Sequence, residues 1–216
     1  MGQRKLRTVV GDFLQSLKEC RQIAADAYLW SAPGAHGAHP HISARRRDSI
    51  VEMAFLQAFL AWEVFVEESF ILYLAGQKPP RGRAPRRHAF PPNLQTAMEW
   101  VVPEGRRYAR WAVAAEVTDR AERFFRLGRP FASVLRGNQN LLEETKVIRN
   151  AIAHKSVSVR ARFESLARNK LGGALPPNMT VGGFLGTITP GSIPPVSFLD
   201  FYIAKIDFAA HQIVPT

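Results

Sequence analysis

The chain has 216 residues, 46% of them hydrophobic, enough to bury a substantial core as one large domain or two small ones. Its 29 Lys and Arg against 18 Asp and Glu leave a formal charge of +11, mostly from arginine, which favours an anionic partner such as nucleic acid or a membrane surface. The single cysteine, Cys20, excludes an intramolecular disulfide and any multi-cysteine zinc site.

The N-terminus, MGQRKLRTVVGDF, is basic and has no secretory apolar core. It carries Leu6-Arg7 where a myristoylation signal usually has Ser or Thr. From Lys5 to Trp30, apolar residues recur in steps of three and four, through Leu6, Val9, Val10, Phe13, Leu14, Leu17, Cys20, Ile23 and Ala27. That is the pattern of an amphipathic helix. Cys20 falls on its apolar stripe and reads as a small core residue.

Residues 31–42 break the pattern with Gly and Pro and read as a loop. His36, His39 and His41 gather in it, but no Cys or acidic residue stands close enough in sequence to complete a metal site. Asp48 is placed to cap a long helix running to about Ala75, with Gly76 as its stop. Its most apolar run, Met53 to Ala75, carries Glu63, Glu67 and Glu68, which a bilayer core penalises. A buried helix, no membrane partner and a cytoplasmic protein are therefore expected.

Residues 77–93, QKPPRGRAPRRHAFPPN, form a basic proline-rich segment that cannot continue a helix. A long exposed loop is expected, mobile or ordered on binding RNA or another partner. Shorter helices are predicted at 94–101, 105–115 and 117–127. Another is predicted from Pro130 to His154 with an irregularity at Gly137-Asn138, and one more over 156–169, ending at Gly172-Gly173. Residues 171–196 are rich in Gly, Pro and Thr, with a weak strand candidate at 180–189. Ser197 then caps a final helix. The fold class is all-α, with two long antiparallel helices and shorter ones. Residues 1–170 form the helical domain, and 171–216 supply a Gly/Pro-rich segment and a C-terminal helix that pack on it.

The stretch 147–156, VIRNAIAHKS, sets Arg149, Asn150 and His154 in an otherwise apolar helical context. Arginine stays charged and forks onto phosphate oxygens, and histidine exchanges protons near neutral pH. Together they suit phosphodiester chemistry without a metal or cofactor. The spacing alone is weak: Arg83 and His88 match it too, inside the proline-rich segment. On an ideal helix a five-residue step leaves two side chains about 140° apart and about 7.5 Å along the axis. Asn150 and His154, four apart, share a face. Arg149 and His154 reach one phosphate if the helix ends near His154, or if two copies meet across a twofold axis.

VIRNAIAHKS resembles the R-x4-6-H signature of the HEPN superfamily, with Asn directly after the Arg. The long helix SIVEMAFLQAFLAWEVFVEESFILYL is similar to the second helix of the RiboL-PSP group of HEPN domains, through the step Trp62-Glu63-Val64-Phe65. The order of elements matches over roughly residues 5–170. The resemblance implies an all-α domain that dimerises and acts as a metal-independent endoribonuclease, of the kind found in toxin–antitoxin, phage-defence and RNA-processing systems. Some members are catalytically silent binding modules. It implies His154 as general base or acid, Arg149 as the stabiliser of transition-state charge, and Asn150 as the group that positions the phosphate.

Around these, Glu63 is a candidate to orient Arg149 or His154. Lys146, Lys155, Arg160 and Arg162 flank the motif as candidate RNA contacts, as do Arg106, Arg107 and Arg110 further upstream. Tyr108 and Trp111 lie beside that cluster as candidate base-stacking groups. The expected partners are RNA, a second copy of the chain, and an antitoxin or regulatory protein. A nucleotide-binding regulatory role for the Arg–His cleft is the remaining alternative.

Overall fold

The computed structural model describes residues 4–32 and 41–216. Their helices, in chain order, are α1 (Leu6–Ser31), α2 (Ala44–Leu74), α3 (Leu94–Val101), α4 (Ala114–Phe124), α5 (Phe131–Gly137), α6 (Gln139–Ala153), α7 (Val157–Leu171), α8 (Val181–Gly186) and α9 (Phe198–Ile213). The described residues contain no strand, only isolated bridges between Arg87 and Phe125 and between Ile188 and Ser197. The protein is all-α.

The residues gather into two compact units. The first comprises Met1–Gln15, Ala61–Leu142 and Ile206–Thr216, and the second comprises Ser16–Leu60 and Glu143–Lys205.

In the first unit the start of α1 runs antiparallel to the end of α2. Arg4 pairs with Glu68 at 2.7 Å, and Phe13 stacks on Phe65 with ring centroids 4.9 Å apart. Phe70 is the hub of an aromatic cluster, 5.3 Å from Trp111, 5.0 Å from Phe125 and 4.9 Å from Phe131. Each such ring contributes about 1.5–3 kcal/mol by leaving water. The Tyr73 hydroxyl donates to the Ile213 carbonyl at 2.9 Å, which ties the end of α9 to α2.

The segment 77–93 belongs to this unit and is not a free loop. The Arg87 guanidinium donates to the Leu74 carbonyl at 2.7 Å. The N–H of His88 reaches Phe124, that of Arg126 reaches Arg86, and that of Arg81 reaches Pro215. Prolines stop the helix there, but the backbone groups they leave unpaired find partners across the unit. The stretch predicted as a helix at 105–115 is irregular up to Val113: Pro103 removes an amide donor and Gly105 sits at φ +74°, so helix formation waits until Ala114.

In the second unit the later half of α1 and the first half of α2 are again antiparallel. The N–H of Ile42 donates to Trp30 and the Arg47 guanidinium lies 5.0 Å from the Tyr28 ring centroid. α2 begins four residues before Asp48, capped by the Ser43 hydroxyl, which accepts from the Arg46 N–H. Asp48 is taken up elsewhere. Its carboxylate receives the Arg47 guanidinium and the Thr180 hydroxyl, at 2.7 and 2.6 Å.

Of the strand candidate 180–189, Val181–Gly186 forms α8 instead, while Ile188 beyond it makes an isolated antiparallel bridge with Ser197. The Thr180 hydroxyl caps α8, and the N–H of Gly182 donates to Glu52 at 2.9 Å. A Cβ on Gly182 would overlap the Asp48 carbonyl, so glycine lets α8 lie against α2. A run of rings, Phe163, Phe184, Phe198 and Tyr202, completes the core of this unit.

By length and composition α2 is apolar enough to cross a bilayer, and 44% of its most apolar window is buried within the protein.

Candidate functional site

Helix α6 is held by Leu142, Thr145 and Ile148, all buried, at steps of three. Arg149 lies one turn after Thr145 on the inward flank and is half-buried. Its Nη1 donates to Asn150 Oδ1 at 3.2 Å, and its Nε is buried without a hydrogen-bond partner among the described residues. Leaving such a donor unsatisfied costs about 1–3 kcal/mol.

α6 stops at Ala153, and His154 is the first residue beyond it. Its N–H still donates to the Asn150 carbonyl at 2.8 Å, while its side chain is exposed. Lys155 follows in the open, and Ser156 caps α7 by accepting from the Val159 N–H at 3.4 Å. The hydrogen bond to the Asn150 carbonyl keeps the His154 backbone in step with Asn150, so its side chain leaves the axis about 140° from that of Arg149. The carbonyl end of α6, partly negative, meets the amide end of α7, partly positive, around residues 154–156.

Lys146, Asn150 and His154 follow one another at four-residue steps along one flank. Lys146 pairs with Glu143 at 3.3 Å. Arg160 is committed to Glu164 at 2.7 Å and to the Met179 carbonyl at 3.2 Å. The hydrogen bond from Arg160, with the charges of Arg160 and Arg168, holds the Glu164 carboxyl below the usual range, against an opposing effect of desolvation. Arg162 and Lys155 have no hydrogen-bond or ion-pair partner among the described residues, which leaves two exposed cations for a polyanion.

The remaining candidates lie in the first unit. Glu63 is half-buried there, on α2. Arg106 and Arg110 both converge on Glu116, while Arg107 and Tyr108 are exposed. Trp111 does not present a face to bases: it is 7% exposed, packed on Phe70 and covered by the Arg120 guanidinium at 4.5 Å. Burial is the main cause that lowers the Arg120 pKa, with Arg123 and Arg106 adding to it. The sequence carries no sign that Arg120 is buried, because its exposed neighbours on α4 look the same in composition.

His41 is exposed, and His36 and His39 lie outside the described residues. Among the described residues no three His, Cys, Asp or Glu side chains gather as metal ligands. Comparison with known proteins found no matching protein-family model, curated protein or solved structure.

Proposed function

We propose that the protein is a metal-independent endoribonuclease of HEPN type that works as a homodimer, with Arg149, Asn150 and His154 as its catalytic residues. The observation that carries this reading is the end of α6 at Ala153. It leaves His154 exposed one turn beyond Asn150, just past the helix that bears Arg149, with the exposed cation Lys155 beside it.

The chemistry needs two proton transfers and one charge stabiliser. A neutral His154 imidazole takes the proton from the ribose 2′-hydroxyl, which DNA lacks. The oxygen attacks phosphorus and the bond to the 5′ oxygen breaks. The leaving oxygen takes a proton from the protonated His154 of the second copy. Arg149 offers its guanidinium to the charge that builds on the phosphoryl oxygens, and Asn150 orients both groups. The products are a 2′,3′-cyclic phosphate and a 5′-hydroxyl. In a cell such an activity requires restraint, so an antitoxin or other regulatory protein is the corresponding partner, and a toxin or phage-defence role the corresponding use.

The buried Nε of Arg149 favours a second reading, in which Arg149 braces α6 and the site binds RNA without cutting it. Incubating the purified protein with RNA in EDTA separates the two. Cleavage by the wild type that is lost in both Arg149→Ala and His154→Ala supports the nuclease. Salt-sensitive binding without any cleavage supports the silent module.

A further inference from the structure

The second unit contains a cleft of ≈ 450 Å³ bounded by α1, the end of α8 and the first turn of α9. None of its lining residues belongs to the Arg149–His154 site. Its floor is small: Ala24 and Ala25 of α1, and Gly186 at the end of α8. A Cβ on Gly186 would overlap the Tyr28 hydroxyl, so the glycine is what lets that hydroxyl reach the cleft wall. The hydroxyl has no hydrogen-bond partner among the described residues.

The cleft is charged on one side. Lys18 and Arg21 stand three residues apart on α1. Lys18 has no ion pair among the described residues, and Arg21 holds Asp200 only at 3.6 Å. Asp200 is itself held by the Ser197 hydroxyl at 2.7 Å, in the first turn of α9, where the Phe198 and Asp200 N–H groups already donate to Thr187 and to the Ser197 hydroxyl. Two cations outweigh one carboxylate, which suits a phosphate monoester. The other polar groups offer both acceptors and donors to hydroxyls: Asp200, the Tyr28 hydroxyl, and Gln22, whose amide nitrogen already donates to Asp26 at 2.8 Å and whose Oε1 accepts. Tyr28 is the single aromatic residue in the lining, and its ring already carries the Arg47 guanidinium. Nothing here sandwiches a nucleobase.

We propose that this cleft binds a small phosphorylated polyol of sugar-monophosphate size. The phosphate sits at Lys18 and Arg21 before the first turn of α9. The hydroxyls meet Gln22, Asp200 and Tyr28, and the C–H face lies on Ala25 and Gly186. The volume falls within the range of pockets that enclose small ligands.

Titration calorimetry on the full chain tests this with ribose 5-phosphate and glucose 6-phosphate, beside the free sugars, inorganic phosphate and AMP. One sugar phosphate binds at one site per chain, at least about tenfold tighter than its free sugar or inorganic phosphate. Lys18→Gln and Arg21→Gln each weaken it about tenfold by removing a charge-assisted contact. Ala25→Phe, at an exposed position and so without effect on the core, fills the floor and removes binding. His154→Ala, which tests the nuclease reading, leaves this binding unchanged. The proposal is overturned if neither ester binds at millimolar concentration, if AMP binds tighter than both, or if a folded Ala25→Phe variant binds as the wild type does. Should Ala25→Phe fail to fold, unchanged affinity in Lys18→Gln and Arg21→Gln overturns it.

Discussion

The N–H of His154 donates to the carbonyl of Asn150 across 2.8 Å, and no residue after it continues α6. His154 is therefore fixed through its backbone and free through its ring. Because the side chain is exposed, His154→Ala shifts folding stability by no more than about 0.5 kcal/mol. Thermal unfolding by circular dichroism checks that, and cleavage of RNA in EDTA falls to background in the same sample. A variant that is folded and still fully active removes His154 from the chemistry.

The cations around the motif differ in how they are engaged. Lys155 and Arg162 have no partner among the described residues, whereas Arg160 already spends its guanidinium on Glu164 and Met179. Removing a phosphate contact lowers the slope of log affinity against log salt by about one. RNA binding measured over a salt series in Lys155→Ala and Arg162→Ala shows that decrease, and Arg160→Ala shows less of it. Identical slopes in all three and the wild type would remove these side chains from the RNA contact.

Gly182 and Gly173 are both glycines of the tail, with opposite tolerance. A Cβ at Gly182 meets the Asp48 carbonyl, while one at Gly173 meets nothing within 4 Å. Gly182→Ala costs about 1–3 kcal/mol, since the two helices must move apart. Gly173→Ala stays within about 0.5 kcal/mol. Urea denaturation of the two variants measures the contrast, and equal midpoints would contradict the close approach of α8 to α2.

Burial pushes the Cys20 thiol up to about 11, the charge of Glu19 adds to this, and a backbone hydrogen bond opposes it. The folded protein thus favours the neutral thiol more than the unfolded chain does, where the pKa is about 8.5. The sign follows: this contribution is complete below about pH 8.5 and is lost as pH rises towards 11. The urea midpoint of the wild type therefore falls between pH 9 and 10 more steeply than that of Cys20→Ala. A thiol reagent at neutral pH leaves Cys20 unmodified until the protein is unfolded. Rapid modification of the folded protein would disprove its burial.

The helices are legible where one face pays no penalty for pattern: α1, α3 and α9 lie close to where apolar spacing puts them, and Asn138 breaks α5 from α6 beside the anticipated glycine. The errors have local causes. Asp48 has the composition of a cap, but Ser43 is nearer the first turn and Asp48 is drawn to Thr180, 132 residues away in sequence. Residues 180–189 have the composition of a strand or loop. The helix over Val181–Gly186 follows from a Thr180 cap and from carboxylates on α2 that no local window contains. At the candidate site the motif and the helix end beside it can be read from residue order. The engagement of Arg160, the burial of Trp111 and the cleft at Lys18 and Arg21 depend on distant residues and cannot.

The clasp of Thr180 and Gly182 on Asp48 and Glu52 also bears on how the chain acquires its structure. Helical proteins usually fold fast because their contacts are local, but these partners are 130 or more residues apart. During synthesis α2 emerges long before the segment that receives its carboxylates. α1 covers one side of this half of α2 from the start, but the face that takes α8 stays open to chaperones and to other nascent chains until α8 leaves the ribosome.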